Sequence, residues 1–304
     1  MSIFNIFSKK KYDNDQLKIV EQADRGDENA KNIVLGWLDN GMTDEYLNNM
    51  RLFIYEKKAN EGDDFAQNEM GGLCCYFLKD NVNGEKWFTN AAEQGNIFAM
   101  ESLVRGYSEA GNNEHSIKLG SFGYNPEKEL YWLNTGASLG YSYFHYNLGD
   151  HYRFDDDAKA MACYEEAIRC DTDLGSVIGS YRNLVSYYNE SWTDHYEPQK
   201  AFDLCAKALF LLQDTHPFFG YDYLDDYHFL IADLGSICSH NVQKPNPVEN
   251  RDITILCYLI ASCGGVVTGA PDWLAQMGYS ASPEEIESYR PYIINMRSPL
   301  DKDN

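Results

Sequence analysis

Ala91-Ala92-Glu93-Gln94-Gly95-Asn96, with Ala99 three residues beyond, decides the fold. Trp87, Phe88, Ala91 and Ala92 stand at helical spacing and give one apolar stripe. Gly95 stops that helix, because glycine takes the left-handed C′ conformation without a steric cost. Asn96 caps the next helix by accepting from its free backbone N–H groups. Ala99, Leu103 and Tyr107 carry the apolar stripe down that second helix. Alanine at 92 and 99 lets the two helices cross closely.

The same bend recurs along the chain. Ala23-Asp24-Arg25-Gly26-Asp27 leads to Ala30, Ala59-Asn60-Glu61-Gly62-Asp63 leads to Ala66, and Ala137-Ser138-Leu139-Gly140-Tyr141 leads to Phe144. The elbow alanines Ala23, Ala59, Ala92 and Ala137 are 36, 33 and 45 residues apart. A two-helix unit with a period in the thirties means a solenoid. The flanks repeat as well: Tyr55, Trp87 and Trp132 precede the elbow, and Met70-Gly71 and Leu148-Gly149 follow it.

On these residues the chain resembles the Sel-1-like repeat (SLR), a relative of the tetratricopeptide repeat, with Trp87–Tyr107 the closest copy. The match runs from Ala23 to Tyr152. Beyond it a further copy is read at Cys163-Tyr164-Glu165-Glu166-Ala167-Ile168, with Asp171 in place of the elbow glycine. Aspartate tolerates the left-handed conformation better than most residues. The resemblance implies an all-α superhelix (solenoid) of about six to seven helical hairpins with a C-terminal capping helix. It also implies a non-enzymatic scaffold that holds a protein or peptide on its inner surface.

The expected organisation is an N-terminal extension over 1–12, well-matched repeats over 13–154, degenerate repeats of the same solenoid over 155–280, and a capping helix and tail over 281–304. A Gly- and Asn-rich insertion at 112–125 accounts for the long 45-residue interval. Phe65 to Leu78 is expected as one helix. Ser282-Pro283-Glu284-Glu285 has capping-box spacing, with its helix running to about Met296.

The 304 residues carry 25 basic and 47 acidic side chains, a formal charge of −22. Phosphate binding relies on Lys and Arg, so this balance argues against nucleic acid and against an anionic membrane surface. It suits a basic protein partner, and a sharper version is neutralisation of a basic effector by an immunity or adaptor protein. Eight cysteines show no paired metal spacing. Cys163 and Cys170 read as one core stripe. Some secreted SLR relatives carry a regular disulfide in each repeat. That framework is absent here, which favours a reducing, cytoplasmic setting. No stretch approaches the ~20 apolar residues of a membrane span.

No phosphate loop, nucleophile elbow or zinc-protease histidine pair is present, and no catalytic residue, metal ligand or cofactor is assigned. Asp155-Asp156-Asp157 reads as a helix cap and macrodipole partner. His145 and His151 are six apart, on different faces of one helix. A Cys–His pair assembled by the fold stays open, and with it a hydrolase or small-molecule-binding enzyme as an alternative. A self-associating spacer is a third reading. The most unusual polar stretch is Tyr221, Asp222, Tyr223, Asp225 and Asp226, where aromatics beside carboxylates suit recognition of Arg or Lys. A solvated helix start accounts for the same residues.

Overall fold

The computed structural model describes residues 12–108, 120–191, 193–219, 223–239, 246–264, 267, 269–294, 296 and 299–300. It divides into two compact units, Met1–Gly136 and Ala137–Asn304. Each unit, among its described residues, is a stack of antiparallel helical hairpins in an all-α solenoid. Most of the 1–12 segment, residues 112–119 of the insertion, and Tyr221 and Asp222 lie outside the described residues.

The first unit holds α1 (Asn14–Asp24), α2 (Glu28–Asp39), α3 (Asp44–Asn60), α4 (Asp64–Gly72), α5 (Asn81–Glu93), α6 (Ile97–Tyr107) and the start of α7 (Pro126–Ser138). α1 packs on α2, α3 on α4, α4 on α5 and α5 on α6, and α1 bridges to the next hairpin by meeting α3. This is how a repeat buries the face it cannot cover alone. Met50, Tyr55, Ala66 and Met70 form the centre of the core.

The corners share one construction. At the first, the Gly26 N–H donates to Ala23 O and the Asp27 N–H to Gln22 O, the paired bonds of a Schellman turn. The same pairs recur at Gly62 and Asp63 and at Gly95 and Asn96. Gly26, Gly62, Gly95 and Gly140 have φ of 99, 99, 92 and 79°. A side chain on any of the four would meet nothing within 4 Å, so backbone conformation alone selects glycine there. Asp27, Asp63 and Asn96 then accept from the N–H groups of Ala30, Ala66 and Ala99 at 2.9, 2.7 and 3.0 Å. Ala30, Ala66 and Ala99 are buried, as are Ala23, Ala59 and Ala92, whereas Ala137 is half-buried. Corners bond to their neighbours: Arg25 pairs with Asp63, Asn96 Nδ2 donates to Asp64, and Gln94 Nε2 to Gln67.

The expected helix from Phe65 to Leu78 is not uniform. It is α-helical to Gly72, and Leu73–Phe77 widens into a π-turn. Gly71-Gly72 supplies the weak point, having no side chains to brace the preceding turn. Phe88 packs on Gly71, and Cys75 packs on Gly84 of α5. The described part of the insertion is tied down: the Phe122 N–H donates to Gly106 O at 2.8 Å, and Asn81 Nδ2 to Ser121 O at 3.0 Å.

The second unit continues with α8 (Ser142–Tyr152), α9 (Asp157–Cys170), α10 (Leu174–Asn189), α11 (Pro198–Phe219), α12 (Leu224–Ile237) and α13 (Arg251–Gly264). Three short helices follow: α14 (Ala270–Gln276), α15 (Pro283–Glu287) and α16 (Arg290–Ile294). Tyr164, Ile178, Leu184, Tyr227, Leu230 and Leu234 sit in its core. Asp156 caps α9 through the Lys159 N–H, and Asp171 ends it at φ 49°, ψ 42°, the left-handed conformation. Ser282 caps α15 through Glu285 N–H. The expected closing helix to Met296 breaks after Glu287, because the ring of Pro291 would strike the Glu287 carbonyl in a continuous helix.

The corner before α8 departs from the pattern. Tyr141 occupies the cap position and makes no side-chain cap bond. Thr172, from the corner between α9 and α10, substitutes: its Oγ1 accepts from Ser142 N–H at 2.8 Å. The buried Ser142 Oγ donates to Ala167 O at 2.8 Å and accepts from Thr172 N–H at 3.0 Å. A second seam is Gly149 against Tyr164, repeated as Gly235 against Tyr258.

Candidate protein-binding groove

The acid–aromatic stretch lies partly outside the described residues. Of the rest, Tyr223 precedes α12 and is half-buried, and Asp225 is exposed in the first turn. Asp226 is already neutralised: Arg182 Nη1 lies 2.5 Å from its Oδ1, with the guanidinium 4.5 Å from the Phe229 ring centroid. One carboxylate of the expected cluster is therefore committed within the chain.

The first unit holds a groove of about 600 Å³ that no motif marked. It is lined from α1, α3, α4, the π-turn, α5 and α6. Its polar floor is built around Asp24, whose side chain is 7% exposed. Arg51 reaches Asp24 Oδ1 through Nη2 at 2.6 Å and Oδ2 through Nε at 3.0 Å, and Tyr55 OH donates to Oδ2 at 2.9 Å. Burial, with Asp24 beside it, pushes the Tyr55 phenol far above its ordinary range, so it stays a donor.

Beside this pair stands Glu69. Burial, and then the negative charge of Asp24, push its carboxyl up, while Arg51 and Asn68 pull the other way. Asn68 Nδ2 donates to Glu69 Oε1 at 3.4 Å. The Asn68 Oδ1 is buried and finds no hydrogen-bond partner. The wall above is aromatic: Phe65, Phe77 and Phe88 line it, and Tyr76 and Phe98 are 52% and 62% exposed. Arg105 stands on the rim and makes no ion pair among the described residues.

The π-turn places Tyr76 and Phe77 on this wall, a common use of such turns at functional sites. The sequence carried one local signal for it, the Gly71-Gly72 doublet. Nothing local marked Asp24, Arg51 and Glu69 as neighbours, since they come from three helices.

Against solved structures, the chain matches a Sel1 repeat protein from Oxalobacter formigenes with a TM-score of 0.51 and 19% identity, over 86% of this chain and 76% of that one. It matches a protective antigen of uropathogenic Escherichia coli strains, described as displaying an SLR fold, with a TM-score of 0.57 and 17% identity, over 95% of this chain and 57% of the antigen. The chain has the Sel1-like repeat fold. No protein-family model and no curated relative matches its sequence. Within the Sel1-like repeat fold, the corner turns and small buried alanines described above are the elements that hold neighbouring hairpins at the spacing the groove needs. Among the described residues no helix is long and apolar enough to cross a membrane.

Proposed function

We propose that this Sel1-like repeat chain is a protein-interaction scaffold that takes a basic, extended segment of a protein partner into the groove of its first unit. The observation that carries this reading is a pair of acceptors in an aromatic-walled groove. The Asn68 Oδ1 lacks a donor, and burial and Asp24 raise the Glu69 carboxyl despite the opposing pull of Arg51 and Arg25, Arg51 being bonded to Asp24. A lysine or arginine side chain supplies a donor to the first and a positive charge to the second, and its stem and cationic head suit the faces of Tyr76 and Phe98. The net charge of −22 favours encounter with a basic partner and makes that encounter salt-dependent. A repeat scaffold, rather than an enzyme in the cytoplasm acting on a small molecule, is the role this arrangement supports.

Random peptides displayed on phage and panned on the full chain at low salt test the reading. Enrichment of Lys or Arg flanked by apolar residues, lost on Glu69→Gln and on Phe98→Ala, is the expected result. Enrichment of acidic peptides, or binding indifferent to both substitutions and to ionic strength, refutes it. A self-associating spacer would instead show a sedimentation mass that rises with concentration while no peptide is retained.

A further inference from the structure

In the second unit α8 and α9 bring together three side chains with the donor set of a transition-metal site. These are His145 from α8 and Glu166 and Cys170 from α9, one ligand atom of each lying within 4.8 Å of the others. Glu166 and Cys170 are four apart, on one face of their helix, and His145 faces them from the adjacent helix. All three are half-buried.

Two features make this more than a chance meeting. The Ala137 backbone is a polar neighbour of the His145 ring, and metal-ligating histidines use such a neighbour to orient the imidazole. The second is the rigidity of the frame. Ser142, one turn before His145, is buried and bonded three ways to Ala167 and Thr172, which flank Cys170. Imidazole and thiol are thus held on elements pinned to each other.

We propose that His145, Glu166 and Cys170 bind a single divalent zinc-class ion, with water at the fourth position. Nitrogen, carboxylate oxygen and thiolate are the ligands zinc takes, at about 2.0–2.3 Å, which places tetrahedral ligand atoms about 3.5 Å apart. Binding draws the ligand atoms together from their present separations of up to 4.8 Å. Thiolate selects against magnesium and calcium. On binding, the Cys170 S–H bond breaks, its proton leaves to solvent and the sulfur lone pair forms the bond to the ion. Arg169 is the counterweight: its guanidinium grips both Glu166 oxygens. It orients the carboxylate and competes with the ion for it.

The test uses the reduced full chain, stripped with a chelator and titrated with Zn²⁺ by calorimetry and with Co²⁺ by absorption. One ion per chain is expected, with a thiolate-to-cobalt charge-transfer band and tetrahedral ligand-field bands. Cys170→Ser abolishes the charge-transfer band, and His145→Gln and Glu166→Gln each weaken zinc by more than about tenfold, the scale on which even supporting partners act. Arg169→Gln tightens it. Unchanged circular dichroism and melting of the stripped variants separates ligand loss from misfolding. A cobalt spectrum without the thiolate band, a band surviving in Cys170→Ser, or Arg169→Gln weakening zinc as Glu166→Gln does would each overturn the site.

Discussion

Gly149→Ala is the substitution that measures how tightly neighbouring hairpins nest. In a helix interior, alanine in place of glycine stabilises by about 1 kcal/mol. Here an added Cβ would lie 2.6 Å from Tyr164 Cδ1, closer still to Cε1, and 2.8 Å from Cζ. Those contacts need roughly a further ångström of room, near the ~3.5–4.0 Å optimum of carbon pairs. Tyr164 has little freedom to provide it. It is fully buried, its hydroxyl donates to Asp150 Oδ1 at 2.7 Å, and its ring packs 6.0 Å from that of Tyr146. Overpacking of this kind costs about 1–3 kcal/mol and outweighs the propensity gain. Urea unfolding followed by circular dichroism reads the net loss, and hydrogen exchange places it in α8 and α9. Tyr164→Leu should relieve it, so the double variant loses less than the two single losses together. A Gly149→Ala protein as stable as its parent, or additive losses in the double variant, would show that the seam yields and that the glycine is not required by packing.

Five further outcomes follow from the same structure. Gly95→Val costs about 1–3 kcal/mol in the same unfolding assay, since a β-branched residue resists φ of 92°, and Ala99→Leu costs about 1–3 kcal/mol by overpacking a fully buried site. Asp24→Asn removes the charge beside Arg51 and leaves one acceptor oxygen where Arg51 and Tyr55 used two, and loses about 1.5–3 kcal/mol, read as a lower urea midpoint. Ser142→Ala leaves the Ala167 carbonyl and the Thr172 N–H short of partners at a buried site, for about 1–3 kcal/mol. For Glu69 the folded-state carboxyl titrates above its unfolded value because burial and Asp24 oppose ionisation. The stability it contributes is full below the unfolded value and is lost as pH rises through the folded one. Glu69→Gln should therefore gain on the parent at neutral pH relative to pH 4; an equal difference at both pH values would remove Glu69 from the groove's electrostatics.

The hairpin fold was legible because its rule is local. Glycine in a left-handed turn, an Asp or Asn cap next to it and an alanine three residues on are each dictated within a few residues, and they recur. Asp171 shows how far such reading reaches: a non-glycine elbow was readable because aspartate tolerates φ of 49°. The groove was not legible, since Asp24, Arg51 and Glu69 meet across 45 residues and nothing in their spacing on a helix announces it. The π-turn escaped for a related reason. A helix period continues through Leu73–Phe77 in sequence, and only the missing side chains at Gly71 and Gly72 hint that the backbone gives way. The closing helix stops short of Met296 because a capping box specifies only a start, and Pro291 cannot continue the helix begun at Pro283.

Among the described residues, the side-chain links between corners in the first unit run from one bend to the next: Arg25 to Asp63, Asn96 to Asp64, Gln94 to Gln67. Among the described residues no bend depends on a common hub. A lineage can therefore gain or shed a whole hairpin at such a joint while the remaining ones keep their partners, so the reach of the groove can be lengthened or shortened in steps of one hairpin without redesigning the rest.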